Sequence, residues 1–338
     1  MRLAELFERL PVPIPGRDRP TFSTLLLGEG PHRLGKDIHG APALLVATDA
    51  AAGGVPPAPI ELEHVRVMYD VQCLLWHWSE SFGEALFTLV QCLTSDRTLC
   101  GYFLSVIEGV VPLLGPRPSD QSVHEVVRSI AELFRALTLP AKKSVQGLWA
   151  ELFMITESSD PCSTADAWHA TPSDAYDFSA ADQRIETKSS GNRERRHHFT
   201  LEQLHPPHNT QVLVASLFVE RAGAGTSLKE LLDRLRVQIS REPELLLRIE
   251  QLVAVSLGIS WQNALDQRFD IELARESLRF FDARRVPSVD PQLPKGVSDV
   301  RFVSDLKDTS QLALKTLLDT PGLFRNIVPL HRLERRAH

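Results

Sequence analysis

Tyr176-Asp177-Phe178-Ser179-Ala180-Ala181-Asp182-Gln183-Arg184-Ile185-Glu186-Thr187-Lys188 reads as two β segments joined by a short turn. Along a strand, successive side chains point to opposite faces, so Ile185 and Thr187 share one face while Glu186 and Lys188 share the other. Ser179-Ala180-Ala181-Asp182 is short and turn-like, which lets the segment bearing Asp177 fold back antiparallel to the one bearing Glu186. Two carboxylates and an ammonium group then converge.

That trio suits phosphodiester hydrolysis. Hard carboxylate oxygens hold Mg²⁺, with Mn²⁺ as the alternative, while phosphate and water complete the coordination. The cation acidifies a water and polarises the phosphoryl group. Lys188 is then placed either to hold or deprotonate the attacking water or to neutralise charge in the transition state. Against this stands the plain reading of Glu-x-Lys as a solvated charge pair on an exposed strand, worth ~0 to 1 kcal/mol. The surroundings of the stretch have to decide between the two.

Upstream, residues 144–157 carry apolar side chains at Val145, Leu148, Trp149, Leu152 and Phe153 or Thr156, the spacing of a core-facing helix. Glu151 lies at the margin of that stripe, where a carboxylate can reach a sheet edge. Gly147, one turn earlier, is expected to let a neighbouring strand come close. Downstream, His197-His198-Phe199-Thr200 is expected as the third strand of a meander, Leu201-Glu202-Gln203-Leu204 as a short helix, and 211–219 as a buried strand. The order along the chain is α-β-β-β-α-β.

This arrangement resembles the restriction-endonuclease-like PD-(D/E)XK nuclease fold, an α+β fold with an α/β-type core. More narrowly, Gly147-Leu148-Trp149-Ala150-Glu151-Leu152, Trp168, Asp177-Phe178, Ile185-Glu186-Thr187-Lys188-Ser189 and Glu202-Gln203-Leu204 are similar to an uncharacterised prokaryotic PD-(D/E)XK family associated with restriction and phage-defence loci. The resemblance implies that Asp177 and Glu186 bind the metal and that Lys188 is the catalytic lysine. It also implies that Glu151 is the helical acid beside the metal and Gln203 a polar position just after the meander. Tyr176 stands where the name-giving proline would be, a position that varies in the superfamily. Asp174 is the alternative ligand to Asp177 if the hairpin register differs, and otherwise a turn cap. DNA is the implied substrate, other restriction or defence proteins the implied partners, and a homodimer the arrangement that double-strand cleavage would favour by analogy. The rival reading is a catalytically inactive subunit with the same fold that binds DNA or another defence protein.

After Lys188 the chain runs Ser189-Ser190-Gly191-Asn192-Arg193-Glu194-Arg195-Arg196. Guanidinium forks match phosphate oxygens, so Arg193, Arg195 and Arg196 are candidates for following the nucleic-acid backbone, with a solvated hairpin loop as the plainer alternative. His197, His198, His205 and His208 invite a zinc reading, but their spacing fits no standard zinc signature. With 37 Lys plus Arg against 43 Asp plus Glu, the net charge is −6, which argues against a broad sequence-independent DNA-coating surface.

The 338-residue chain, 43% hydrophobic, is long enough for two or three domains. Four domain segments are expected: an amino-terminal α+β unit over 1–115, a linking helix within 116–143, the nuclease core over 144–225, and a helix-and-strand extension over 226–338. No uninterrupted apolar run approaches the ~18 residues of a membrane span. The four cysteines, Cys73, Cys92, Cys100 and Cys162, lack paired metal spacing. A reduced, cytoplasmic protein with no membrane partner is the expectation.

Elsewhere the signals are structural. Pro and Gly punctuate the first sixty residues, ending in a loop over 51–59. Segments 65–78 and 85–93 favour strands and 98–114 a helix. Trp76-His77-Trp78 can be read as a base-stacking group, though aromatics in strands usually pack. The linking helix, 123–139, is given a capping box by Ser122-Val123-His124-Glu125 and is expected to pack the amino-terminal unit onto the core. Glu220 to Ser227 lacks the glycines of a nucleotide loop, and Ser227 with Glu230 forms a capping box for the helix that follows. Segments 269–281 and 297–306 look strand-rich, a helix follows Pro243, and the last residues read as a solvated tail.

Overall fold

The computed structural model describes residues 3–16, 19–28, 30–47, 57–76, 82–94, 96–116, 118–169, 171 and 174–337. They form a mixed α+β fold with several sheets. The chain divides into two compact units, Met1–Pro140 with Arg241–Gln262 and Ala141–Ser240 with Asn263–His338.

In the first unit, helix α1 (Leu3–Arg9) precedes strands β1 (Thr21–Leu26), β2 (Arg33–Lys36), β3 (Pro42–Ala47), β4 (Ile60–Glu61), β5 (Val65–Trp76) and β6 (Phe82–Cys92). Their order is β1-β2-β3-β6-β5-β4, and β1 also pairs in parallel with β5, so the sheet closes on itself. Its interior is a cluster of Phe22, Ala43, Leu45, Cys73, Leu75, Phe87 and Leu89. Asp70, at φ 51°, sits where the β5–β6 register shifts, a left-handed conformation that aspartate tolerates better than most residues. Residues 51–56 of the Pro/Gly loop, and His77 and Trp78 of the aromatic trio, lie outside the described residues.

Helices α2 (Arg97–Leu114) and α3 (Asp120–Ala136) pack with each other and with the helix Pro243–Leu257. By length and composition alone α2 is apolar enough to cross a membrane. Its residues Leu99, Phe103, Leu104, Val106, Ile107 and Val110 are buried inside the unit. The cap of α3 is Ser119, which accepts from the Ser122 N–H at 3.2 Å, so the helix begins three residues before the expected capping box. Within its own unit α3 packs on α2, β5 and Pro243–Leu257.

The second unit opens with helices α4 (Val145–Glu157) and α5 (Pro161–Asp166), strands β7 (Phe178–Ala180), β8 (Gln183–Ser190) and β9 (Arg196–Thr200), helix α6 (Leu201–Leu204) and strand β10 (Gln211–Phe218). Strand β11 (Arg221–Ser227), helix α7 (Leu228–Gln238) and strands β12 (Arg268–Phe269), β13 (Arg279–Asp282) and β14 (Arg301–Asp305) follow. The main sheet has the order β13-β10-β8-β7, with β8 parallel to β10 and antiparallel to β7. β9 does not extend this sheet as a third meander strand. It pairs with β14 instead, Arg196↔Asp305 through Thr200↔Arg301.

Four local expectations are corrected. α4 is buried on all sides from Leu148 to Thr156, Glu151 included, so it is an interior helix and not an amphipathic one. A Cβ at Gly147 would meet only the Ser144 hydroxyl, the helix's own N-cap, so this glycine does not admit a strand. Close approach belongs to Gly225 instead, where a Cβ would fall 2.2 Å from the Phe269 carbonyl oxygen in β12. Within 269–281, Asp270 caps a helix over Ile271–Ser277 between two short strands. The expected carboxy-terminal tail is helical over Leu330–Ala337, and Arg332 donates to the carbonyls of Arg275 and Leu278.

Candidate active site

The β7–β8 hairpin forms with Phe178 opposite Ile185 and Ala180 opposite Gln183, leaving Ala181-Asp182 as a two-residue turn. Asp177 stands immediately before β7. Its carboxylate accepts from the Thr187 N–H at 2.8 Å, which pins it against the strand that carries Glu186 and Lys188. Residues 167–169 run alongside, because His169 N–H donates to the Asp177 carbonyl and Ser179 N–H to the Ala167 carbonyl. This second strip brings His169 to the mouth of the hairpin. From the other side, the interior helix α4 delivers Glu151.

Glu151, His169 and Asp177 offer two carboxylate oxygens and an imidazole nitrogen, all within 4.8 Å of one another. Glu151 Oε2 accepts from Trp168 Nε1 at 2.8 Å and lies 3.1 Å from His169 Nε2. Lys143, on the irregular segment just before the Ser144 cap, reaches all three groups. Its Nζ is 2.5 Å from Glu151 Oε1, 3.0 Å from His169 Nε2 and 3.2 Å from Asp177 Oδ1.

Glu186 and Lys188 form the other half of the site. Lys188 Nζ is 2.7 Å from Glu186 Oε1, 3.3 Å from Gln203 Oε1 and 5.0 Å from the centre of the Phe199 ring. Gln203 is held in turn. Its Oε1 accepts from the Thr200 N–H at 3.1 Å, and its Nε2 donates to the Ala175 carbonyl at 3.1 Å. Tyr176 donates its hydroxyl proton to the Glu202 carbonyl at 2.8 Å, so the position lacking the name-giving proline ties the hairpin to α6.

Electrostatics join the halves. Burial, then repulsion from Glu151 and Glu186, push the Asp177 carboxyl well above the usual carboxylate range, against the pull of Lys143. Burial also raises the Glu186 carboxyl, and Lys188 offsets only part of the rise. For Glu151 burial acts upward too, but the His169 bond and the Lys143 charge outweigh it and hold the group below its ordinary value. Burial pulls the Lys143 ammonium down, yet Asp177 and Glu151 together raise it. Three carboxylates under mutual repulsion, buried beside two ammonium groups, are where stability is commonly given up for function.

The donor set fits a divalent cation. Carboxylate oxygens suit Mg²⁺ and Mn²⁺, and an imidazole nitrogen is a ligand Mn²⁺ and later transition metals accept readily. Two donors that share one octahedral cation at about 2.1 Å stand roughly 3 Å apart, and Glu151 Oε2 and His169 Nε2 are 3.1 Å apart. Glu186, expected as a ligand, lies outside the tight trio and is linked to it through charge. His169 and Lys143 were not singled out from the sequence. The only signals for them were the residue after Trp168 and the pair Lys142-Lys143 ahead of a helix cap.

Asp174 closes a turn, accepting from the Thr171 N–H at 3.1 Å and the Thr171 hydroxyl at 2.8 Å. Arg193 forms a bidentate pair with Glu220, at 2.6 and 3.0 Å. Arg195 is turned inward. It donates to the Ser216 carbonyl and hydroxyl and to the Ser277 carbonyl, with its guanidinium over the Phe218 ring, and burial lowers it to about 10. Arg196 is exposed at the start of β9. The four histidines do not gather: His197 Nε2 contacts the Ser216 hydroxyl at 2.8 Å, whereas His205 Nε2 contacts the Val289 carbonyl at 2.9 Å.

The sequence profile of the family described as "Putative PD-(D/E)XK family member" (DUF4420) matches residues 4–307. No curated protein and no solved structure matches the chain.

Proposed function

The chain belongs to this PD-(D/E)XK family, and we propose that it is a divalent-metal-dependent DNA endonuclease that hydrolyses phosphodiester bonds within a restriction or phage-defence system. The observation that carries this reading is the gathering of Asp177, Glu186, Lys188 and Glu151 at one end of the β7–β8 hairpin. A solvated Glu-x-Lys pair would leave these groups exposed. Here Glu151, Asp177 and Glu186 are buried. The restriction-endonuclease-like core is taken to comprise α4, the hairpin, β9, α6 and β10.

Glu151, His169 and Asp177 would hold the cation, Mg²⁺ or Mn²⁺, with Glu186 supplying charge close by. Bound there, the cation supplies Lewis-acid polarisation of a phosphoryl oxygen and acidification of a water. Lys188, fixed between Glu186 and Gln203, is placed to donate hydrogen bonds to a water or to a phosphoryl oxygen as negative charge builds. Gln203 positions the ammonium, because its own amide is held by the Thr200 and Ala175 backbone. Arg196 is the arginine best placed for a phosphate contact, since the Arg193 and Arg195 guanidiniums are engaged elsewhere. The protein is taken to act in the cytoplasm and, for double-strand cleavage, as a homodimer.

One observation favours a second reading, a catalytically inactive interaction subunit. The ammonium groups of Lys143 and Lys188 already pair with all three carboxylates. The test is incubation of purified protein with modified and unmodified phage DNA in Mg²⁺ or Mn²⁺. Metal-dependent cutting that is lost in Glu186→Ala and Lys188→Ala is expected. No cutting, together with intact phage protection by both variants, would leave the interaction reading in its place.

A further inference from the structure

We propose that Lys143 is a built-in counter-cation which competes with the divalent metal for the Glu151, His169 and Asp177 donor set, so that metal enters only as the Lys143 ammonium leaves. The inference rests on the metal-dependent reading of the site.

The ammonium contacts one donor atom of each of the three groups, at 2.5, 3.0 and 3.2 Å. A cation bound by the same atoms and an ammonium at those distances would share ligands in a site with little water, where like charges repel strongly. Only one of them fits. Formal charge points the same way. When ionised, Glu151, Asp177 and Glu186 carry three negative charges against the two positive charges of Lys143 and Lys188. Exchanging Lys143 for a divalent ion brings that sum to zero.

His169 shows that the ammonium satisfies the donors incompletely. Its Nε2 lies within hydrogen-bonding distance of both the Lys143 ammonium and Glu151 Oε2. A single ring nitrogen serves one of them: protonated, it donates to Glu151 and faces the ammonium; unprotonated, it accepts from Lys143 and faces a carboxylate oxygen. Nδ1 is buried without a hydrogen-bond partner among the described residues. A metal ion takes the Nε2 lone pair and the carboxylate oxygen together, which removes the conflict. Lys143 is also able to leave. It lies outside α4, on an irregular stretch, its stem has four rotatable carbons, and its side chain retains 15% exposure.

The experiment is Mn²⁺ binding by calorimetry to the full chain, wild type against Lys143→Met, with Lys143→Arg as the charge-preserving control. Lys143→Met is expected to bind Mn²⁺ at least tenfold more tightly, and Lys143→Arg to bind as weakly as wild type. Should Lys143→Met not fold alone, Lys143→Gln takes its place, and the rise in unfolding temperature on adding Mn²⁺ is expected to exceed that of wild type. Equal or weaker Mn²⁺ binding by the neutral variants overturns the competition while leaving the metal site standing. Binding by neither wild type nor variant overturns the metal site and the competition with it.

Discussion

Both units bury charge, but for different ends. In the first, Lys36 donates to the Leu10 carbonyl at 2.7 Å, and Asp37 accepts from the His39 and Ala41 N–H groups at 2.9 and 2.8 Å and from Gln91 at 2.8 Å. Lys36 and Asp37 thus meet backbone or amide groups that close a turn or seat a strand, the usual condition for a buried ion. In the second unit Asp177, Glu151 and Glu186 face one another, and burial plus repulsion push Asp177 and Glu186 upward. Buried charge that closes a turn serves folding, whereas the repulsion among these three carboxylates is what the proposed cation would relieve.

The largest effect that can break this contrast is on activity. Glu186→Ala or Lys188→Ala is expected to reduce metal-dependent cleavage by about a thousandfold, read as single-turnover rates, while Asp37→Ala leaves them unchanged.

A smaller effect concerns pH. Burial, then the charges of Lys188 and Arg195, push His197 down from 6.5 to about 4. The unfolded chain therefore takes up a proton before the folded one as pH falls. The stability contribution is full above pH about 6.5 and is lost progressively toward pH about 4, amounting to about 3 kcal/mol. Urea unfolding across that window should show the decline in wild type and a flatter curve in His197→Gln.

Next comes Asp37→Ala, which strips acceptors from two N–H groups and Gln91 and should cost about 2 kcal/mol in urea unfolding. Asp177→Asn should act in the opposite direction. The folded pKa of Asp177 is raised, so its favourable contribution exists below the ordinary carboxylate range and is lost as pH rises through the folded value. At neutral pH without metal the asparagine should stabilise the protein by about 1 kcal/mol, since it relieves repulsion and leaves Lys143 paired with Glu151. Smallest is Ala181→Gly. Ala181 sits at φ 47° in the hairpin turn, and glycine there should add roughly 1 kcal/mol or less.

The difference between the units also shows what local sequence can disclose. Strand alternation around Ile185 and a short turn were enough to place Glu186 and Lys188 on one face and to fold Asp177 back toward them. Lys143 and His169 were not legible, because irregular segments and bonds such as His169 N–H to the Asp177 carbonyl put them there. Arg195 announced a cation without announcing the Ser216 and Ser277 carbonyls that draw it inward. β9 looked like the neighbour of β8 because they are close in sequence, yet its partner β14 lies about a hundred residues on, and non-local pairing leaves no local trace. In the first unit, Val65 to Trp76 reads as a strand, whereas β1 to β3 are short and set among Pro and Gly. Aromatics at both ends of 269–281 masked the Asp270-capped helix between them.

The most direct measurement is DNA cleavage by wild type and Asp177→Asn, each in Mn²⁺ and in EDTA. The expected result is cutting by wild type in Mn²⁺ alone and none by the folded Asp177→Asn protein. Cutting that persists in EDTA, or at the wild-type rate in Asp177→Asn, would contradict a metal-dependent site built on these carboxylates.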